Sequence, residues 1–219
     1  MKKIFVLLMG MMFLAACATT PKYEGVFVPK EYEEQFKPGP EGGAKLAYIR
    51  PGVDFSKYKK VMVDYVVFAL APDSDYKGIN ADEMKELADA ASKVFLQAIK
   101  EKFPIVSEPG PDVLRVRTAI TDLKQSRPVI SAVTSVVPVG IGISIIKRGV
   151  MGSWTGSGMT KGEIMLVDSM TNQVLAAGYD DYSAKFLERY TKWGSVEDAF
   201  KHWGEIFTTR LQNLQGIKQ

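Results

Sequence analysis

Hydrophobic positions along the chain change their spacing several times, and each change marks an element. Residues 4–14 are apolar almost without interruption. Residues 61–70, VMVDYVVFAL, are apolar on both faces of an extended chain, the pattern of a central strand. The period then lengthens. Met84, Leu87, Ala88, Ala91, Val94, Phe95, Ala98 and Ile99 recur at i, i+3 and i+4, which predicts a helix with one buried stripe. Asn80 stands where it can cap that helix, Glu83 completes a capping-box pair, and Pro104 closes the run.

Strict alternation follows in residues 113–123. Leu114, Val116, Thr118 and Ile120 face one way and Arg115, Arg117 and Thr121 the other, predicting a half-solvated strand. Residues 161–168 and 173–179 read as a hairpin turned across SMTN. A last helix is predicted from a cap at Ser195, with Asp198 at the third position. Val196, Ala199, Phe200, Trp203, Phe207, Leu211 and Leu214 form its stripe. The order β-α-β-β-β-α predicts an α+β fold: a mainly antiparallel sheet with two helices packed on one face.

Two stretches keep no period. Residues 24–60 are rich in Pro, Gly and aromatic residues and read as an extended, partly ordered lead-in. A mobile linker is the alternative, although Phe27, Tyr32, Phe36, Tyr48, Phe55 and Tyr58 are more aromatic surface than free linkers carry. Residues 128–149, PVISAVTSVVPVGIGISIIKRG, interrupt two strands with an apolar run broken by Pro138, Gly140 and Gly142. Val129, Val133, Val137, Ile141 and Ile145 mark it as a candidate interaction segment. Packing into the core, self-association or a partner surface, and contact with a bilayer all remain open for it.

The first apolar run gives an address. Lys2 and Lys3 precede it and small residues follow, the layout of a secretory leader. At about eleven residues it falls short of the roughly 20 that a membrane-spanning helix needs. Leu14-Ala15-Ala16-Cys17 matches the bacterial lipobox, in which the cysteine is acylated after cleavage before it, and Cys17 is the only cysteine in the chain. The expectation is a signal peptide over 1–16, a lipidated tether over 17–23, the lead-in over 24–60, and one domain over 61–219 with an apolar Gly/Pro insertion at 128–158. Ala18, rather than an aspartate, follows the cysteine, which by resemblance to sorting signals places the anchor in the outer membrane of a Gram-negative cell.

Composition narrows the classes of function. Without Lys2 and Lys3, the 28 basic residues come within one of the 25 acidic residues, which argues against nucleic acid as a partner. One histidine and an acylated cysteine leave little for a metal site, and no cofactor is expected. His202 falls on the flank of the last helix, away from its apolar stripe. Ser157 lacks the first glycine of a nucleophile elbow, and GSGMTKG has the wrong order for a phosphate loop. Asp180-Asp181 reads as a turn after the last strand, and Arg115, Arg117 and Glu163 as cross-strand charge pairs on a solvent face.

The blocks GVFVPKEY, YIRPGVDFSKYKKVMVD and GEIMLVDSMTNQVLAAGYDDYS resemble a family of bacterial lipoproteins catalogued as domain of unknown function 3313. That resemblance covers nearly the whole mature chain. It implies a cell-envelope lipoprotein and brings no activity or catalytic residue. The element order is similar, more loosely, to periplasmic domains of the curli-secretion lipoprotein and the Tol-system propeller protein, an analogy of fold that transfers no function.

The expectation is therefore a non-enzymatic outer-membrane lipoprotein facing the periplasm, held in the lipid by acylated Cys17, with a binding or scaffolding role. Its candidate partners are an envelope protein or further copies of itself. The alternative is an oligomeric, membrane-associated secretion or assembly component working through residues 128–149. A third reading, an envelope hydrolase, would need Ser157 or His202 at a site.

Overall fold

The structure is a computed structural model and describes Tyr23 and residues 25–70, 72, 74, 79–124, 158–183 and 194–217. Cys17, Ser157 and the candidate interaction segment at Val129, Val133, Val137, Ile141 and Ile145 lie outside the described residues.

The fold is α+β, as the periodicity predicts. Its strands are β1 (Lys37–Pro38), β2 (Leu46–Ile49), β3 (Lys60–Val63), β4 (Val67–Phe68), β5 (Val113–Lys124), β6 (Met159–Asp168) and β7 (Val174–Ser183). They form one sheet in the order β1-β2-β7-β6-β5-β3, with β4 also paired to β5. All pairings are antiparallel except those of β3 and β4 with β5.

The helices are α1 (Ala81–Lys100) and α2 (Gly194–Leu214). The capping box at α1 is present: Asn80 Oδ1 accepts from the Glu83 N–H at 2.9 Å, and Glu83 answers at the Asn80 N–H. Ser195, expected as the cap of α2, lies inside its first turn, where its hydroxyl meets that of Thr160 at 3.0 Å. Both apolar stripes face the sheet and each other. Phe95 sits edge-on to Phe200, and Leu87, Ala91, Ile99, Val196, Phe207 and Leu211 are buried against Leu114, Val116, Ile120 and Leu166.

The run 61–70 is not one central strand. It is split into β3 and β4, both on the outer side of β5. Asp64 sits between them and binds Arg115 through two contacts of 2.8 Å, with Arg117 at 3.4 Å. A short apolar run carries no signal that separates an edge from a centre.

The opposite face of the sheet was expected to meet water. Instead, Tyr23 and residues 25–36 lie across it as a third layer. Tyr23 stacks on Phe36 with ring centroids 4.3 Å apart, and Tyr32 packs on Tyr48 at 5.1 Å. Together with Val28 they bury Leu46, Met165, Val167, Ala177 and Tyr179. Glu163 is the centre of this layer. It does not pair with Arg115 or Arg117: its carboxylate is buried and accepts from the Tyr23 hydroxyl and from three successive N–H groups, Val26 at 2.8 Å, Phe27 at 3.1 Å and Val28 at 2.9 Å. A Cβ at Gly25 would collide with that carboxyl and with the Tyr23 ring, so only glycine lets the strap come this close. Burial, and then the bond to Glu163, push the Tyr23 phenol well above its ordinary range.

At the β6–β7 hairpin, Asn172 takes the left-handed conformation that the turn needs. Asp168 ties this turn to residues 57 and 58. Partial burial disfavours its charge, but hydrogen bonds from the Tyr58 hydroxyl, the Thr171 N–H, Lys57 and the Thr171 hydroxyl outweigh that and hold its pKa at about 2.

Three outcomes are expected. Glu163→Gln strips the strap of an acceptor shared by four donors and lowers the unfolding free energy by about 2–3 kcal/mol, read from urea denaturation. In the same variant the strap opens locally, and trypsin cuts after Lys30, which is already on the surface, at urea concentrations that leave the helices intact. Asp168 titrates below its unfolded value, so its contribution is full above about pH 4 and is lost as the pH falls toward 2. Asp168→Asn should therefore flatten that acid limb of the stability curve.

Candidate functional site

Between α2 and the β2–β7–β6 part of the sheet the two layers do not close. The sheet positions there are small: Ala47 on β2, Gly178 and Ala176 on β7 and Gly162 on β6, with Ala44 from the β1–β2 loop. Short side chains leave the helix–sheet gap unfilled. A cleft of about 280 Å³ results, with Ile49, Ile164, Leu166, Phe200, Trp203, Ile206 and Leu214 also on its walls.

Trp203 props the cleft open. Its indole lies on Gly162, where an added Cβ would come within 2.5 Å of the ring. The indole N–H donates to Asp180 Oδ2 at 2.9 Å, and the Lys45 N–H donates to the other oxygen at 3.1 Å. Burial pushes the Asp180 carboxyl above its usual range despite these bonds, and the neighbouring Asp181 adds to the rise. Asp181 itself forms an ion pair with Lys45 at 2.7 Å. Both aspartates lie within β7 rather than in a turn beyond it, because the strand runs on to Ser183.

Arg210 stands two turns of helix beyond Trp203, on the same wall. Its Nη2 donates to the Glu41 carbonyl and so pins the β1–β2 loop over one end of the cleft. Its Nε is buried and has no partner among the described residues. On the sheet side, Thr118 is 4% exposed and lines the cleft, and its hydroxyl is likewise without a partner there.

Of the residues singled out from sequence, Asp180 and Glu163 line the cleft, the second while its carboxylate is engaged by the strap, and the other described ones lie elsewhere. His202 is exposed on the outer side of α2 beside Tyr182. Arg115 and Arg117 belong to the Asp64 cluster, and Glu163 to the strap. Among the described residues there is no group of His, Cys, Asp and Glu placed to hold a metal ion. No helix among them is long and apolar enough to cross a membrane. Sequence reading missed Trp203 and Arg210 as site residues. The one available signal was a cation, Arg210, next to the apolar stripe of the last helix.

Comparison with known proteins adds a family. The model described as a protein of unknown function, DUF3313, matches residues 22–207. No curated protein matches the chain. Among solved structures, PelC from Paraburkholderia phytofirmans, a dodecamer, is 9% identical with a TM-score of 0.40, covering 79% of this chain and 96% of that one. The hypothetical protein CT253 from Chlamydia trachomatis is 12% identical with a TM-score of 0.36, covering 72% and 98%. A DUF4136 protein from Bacteroides thetaiotaomicron is 8% identical with a TM-score of 0.32, covering 77% and 94%. These likenesses are loose, and no property of those proteins is carried to this chain.

Replacing Trp203 by Phe removes a donor from a carboxyl that burial already makes costly to ionise. The donor supports the ionised form, so Trp203→Phe loses about 1–3 kcal/mol at pH 7 beyond the effect of ring size. Protonation of Asp180 removes the need for it. The penalty should shrink as the pH falls through the raised titration range, as read from urea midpoints taken between pH 7 and 4.

Proposed function

The chain belongs to the DUF3313 family, and we propose that this member is a lipid-anchored protein of the bacterial outer membrane. In this reading its periplasmic domain binds an apolar ligand without chemistry. The observation that carries the binding role is the cleft beneath α2: an apolar space of about 280 Å³ with few polar groups on its walls, at the small end of the range for ligand sites.

The lipobox at Leu14-Ala15-Ala16-Cys17 supports the anchor. Acyl chains contribute about 0.8 kcal/mol for each buried methylene, and more than one chain makes stable anchoring. Tyr23, six residues after Cys17, is bonded to Glu163 and stacked on Phe36. Six residues at 3.6 Å each put Tyr23 at most about 22 Å from Cys17. Such a leash keeps the domain against the inner leaflet, where lipids or envelope proteins pass. The self-associating alternative depends on residues 128–149.

Labelled palmitate fed to a Gram-negative host should enter the full chain and leave it in the outer-membrane fraction. Cys17→Ala should abolish both the label and the fractionation. Label retained by the variant, or wild-type chain recovered free in the periplasm, would refute the anchor.

A further inference from the structure

We propose that the cleft holds the hydrocarbon tail of a single-chain anionic lipid of the fatty-acid type, with Arg210 receiving its carboxylate. This rests on the reading of the cleft as a binding site and names the class of ligand.

Size limits the occupant. A methylene takes up roughly the volume of a water in the liquid, about 30 Å³, so the cleft accepts on the order of nine of them. One tail fits and a pair of tails does not. The walls match a tail, since Ile49, Ile164, Phe200, Ile206 and Leu214 offer dispersion contacts and little hydrogen bonding.

Charge selects the head. Arg210 is a cation in the wall of an apolar space, and no carboxylate lies within ion-pairing distance of it among the described residues. Glu41 supplies only a carbonyl, to Nη2, and Nε is buried without an acceptor. The half-buried guanidinium lacks an ionic partner among the described residues, and a carboxylate entering with the ligand meets the N–H groups that Glu41 leaves open. Asp180, the carboxyl within the cleft, does not take that role: its two oxygens are held by Trp203 and Lys45.

The test uses the full chain in phosphatidylcholine vesicles containing a photoreactive decanoic acid, or its uncharged methyl ester, with mass-spectrometric mapping after irradiation. The acid should label peptides spanning 39–49, 174–183 and 203–214. Arg210→Gln should lower labelling by the acid about tenfold more than labelling by the ester, the worth of a charge-assisted hydrogen bond, because loss of the Glu41 contact affects both probes alike. Ala47→Phe, which fills the cleft, should lower both. Should it fail to fold, Arg210→Gln, at a half-buried residue, still decides the matter. Equal labelling by acid and ester with the same effect of Arg210→Gln on both overturns the proposed class but leaves the cleft a binding site. No label from either probe overturns the binding reading as well. Labelling that appears only in Cys17→Ser assigns the cleft to the chain's own acyl groups, against the proposal.

Discussion

The carboxylate of Glu163 is the constraint on which the layered structure depends. A charge inside a protein is tolerated only when its lone pairs are filled, and the donors to Glu163 come from outside the sheet. The chain supplies donors from far away in sequence, three consecutive N–H groups and a phenol from residues 23–28. Once those are fixed, the aromatic rings that follow have one place to go. Tyr23, Phe36 and Tyr32 fall onto Tyr179 and Tyr48, and the second sheet face is covered. A polar contact thus sets the register for an apolar layer, and Gly25 makes the approach sterically available.

With both central faces covered, the cleft is the place where burial stays incomplete. The strap uses the outward side chains of β2 and β7, Leu46, Tyr48, Ala177 and Tyr179, while their neighbours Ala47, Gly178 and Ala176 turn toward α2 and are too small to reach it. The Trp203 indole on Gly162 and the Arg210 bond to Glu41 hold helix and loop at that distance. Leu46, Tyr48 and Tyr179 on one side and Ala47, Ala176 and Gly178 on the other give these two strands a closed face and an open one.

Much of the framework was readable in the chain because it is local. The stripe and capping box of α1, the stripe of α2 and the SMTN hairpin each rest on interactions within a few residues, where spacing carries the information. β2 was not readable, since KLAYI sits in a segment of Pro and Gly and only four residues are paired. Arg115, Arg117 and Glu163 look alike in an alternating strand pattern. Their fates differ because Asp64 reaches the first two, and the strap reaches the third.

What the sequence by itself determined was the α+β order, the family, the two helix stripes and the β6–β7 hairpin, since periodicity, caps and turns are properties of neighbouring residues. The lipobox, too, was visible only as sequence. What the tertiary structure alone decided was which face each charge meets. It set the run at 61–70 on the outer side of β5, folded the lead-in over the sheet, and joined residues 40 to 214 around a cleft. Those outcomes depend on groups from 51 to 169 residues apart, and no local pattern records the distance between them.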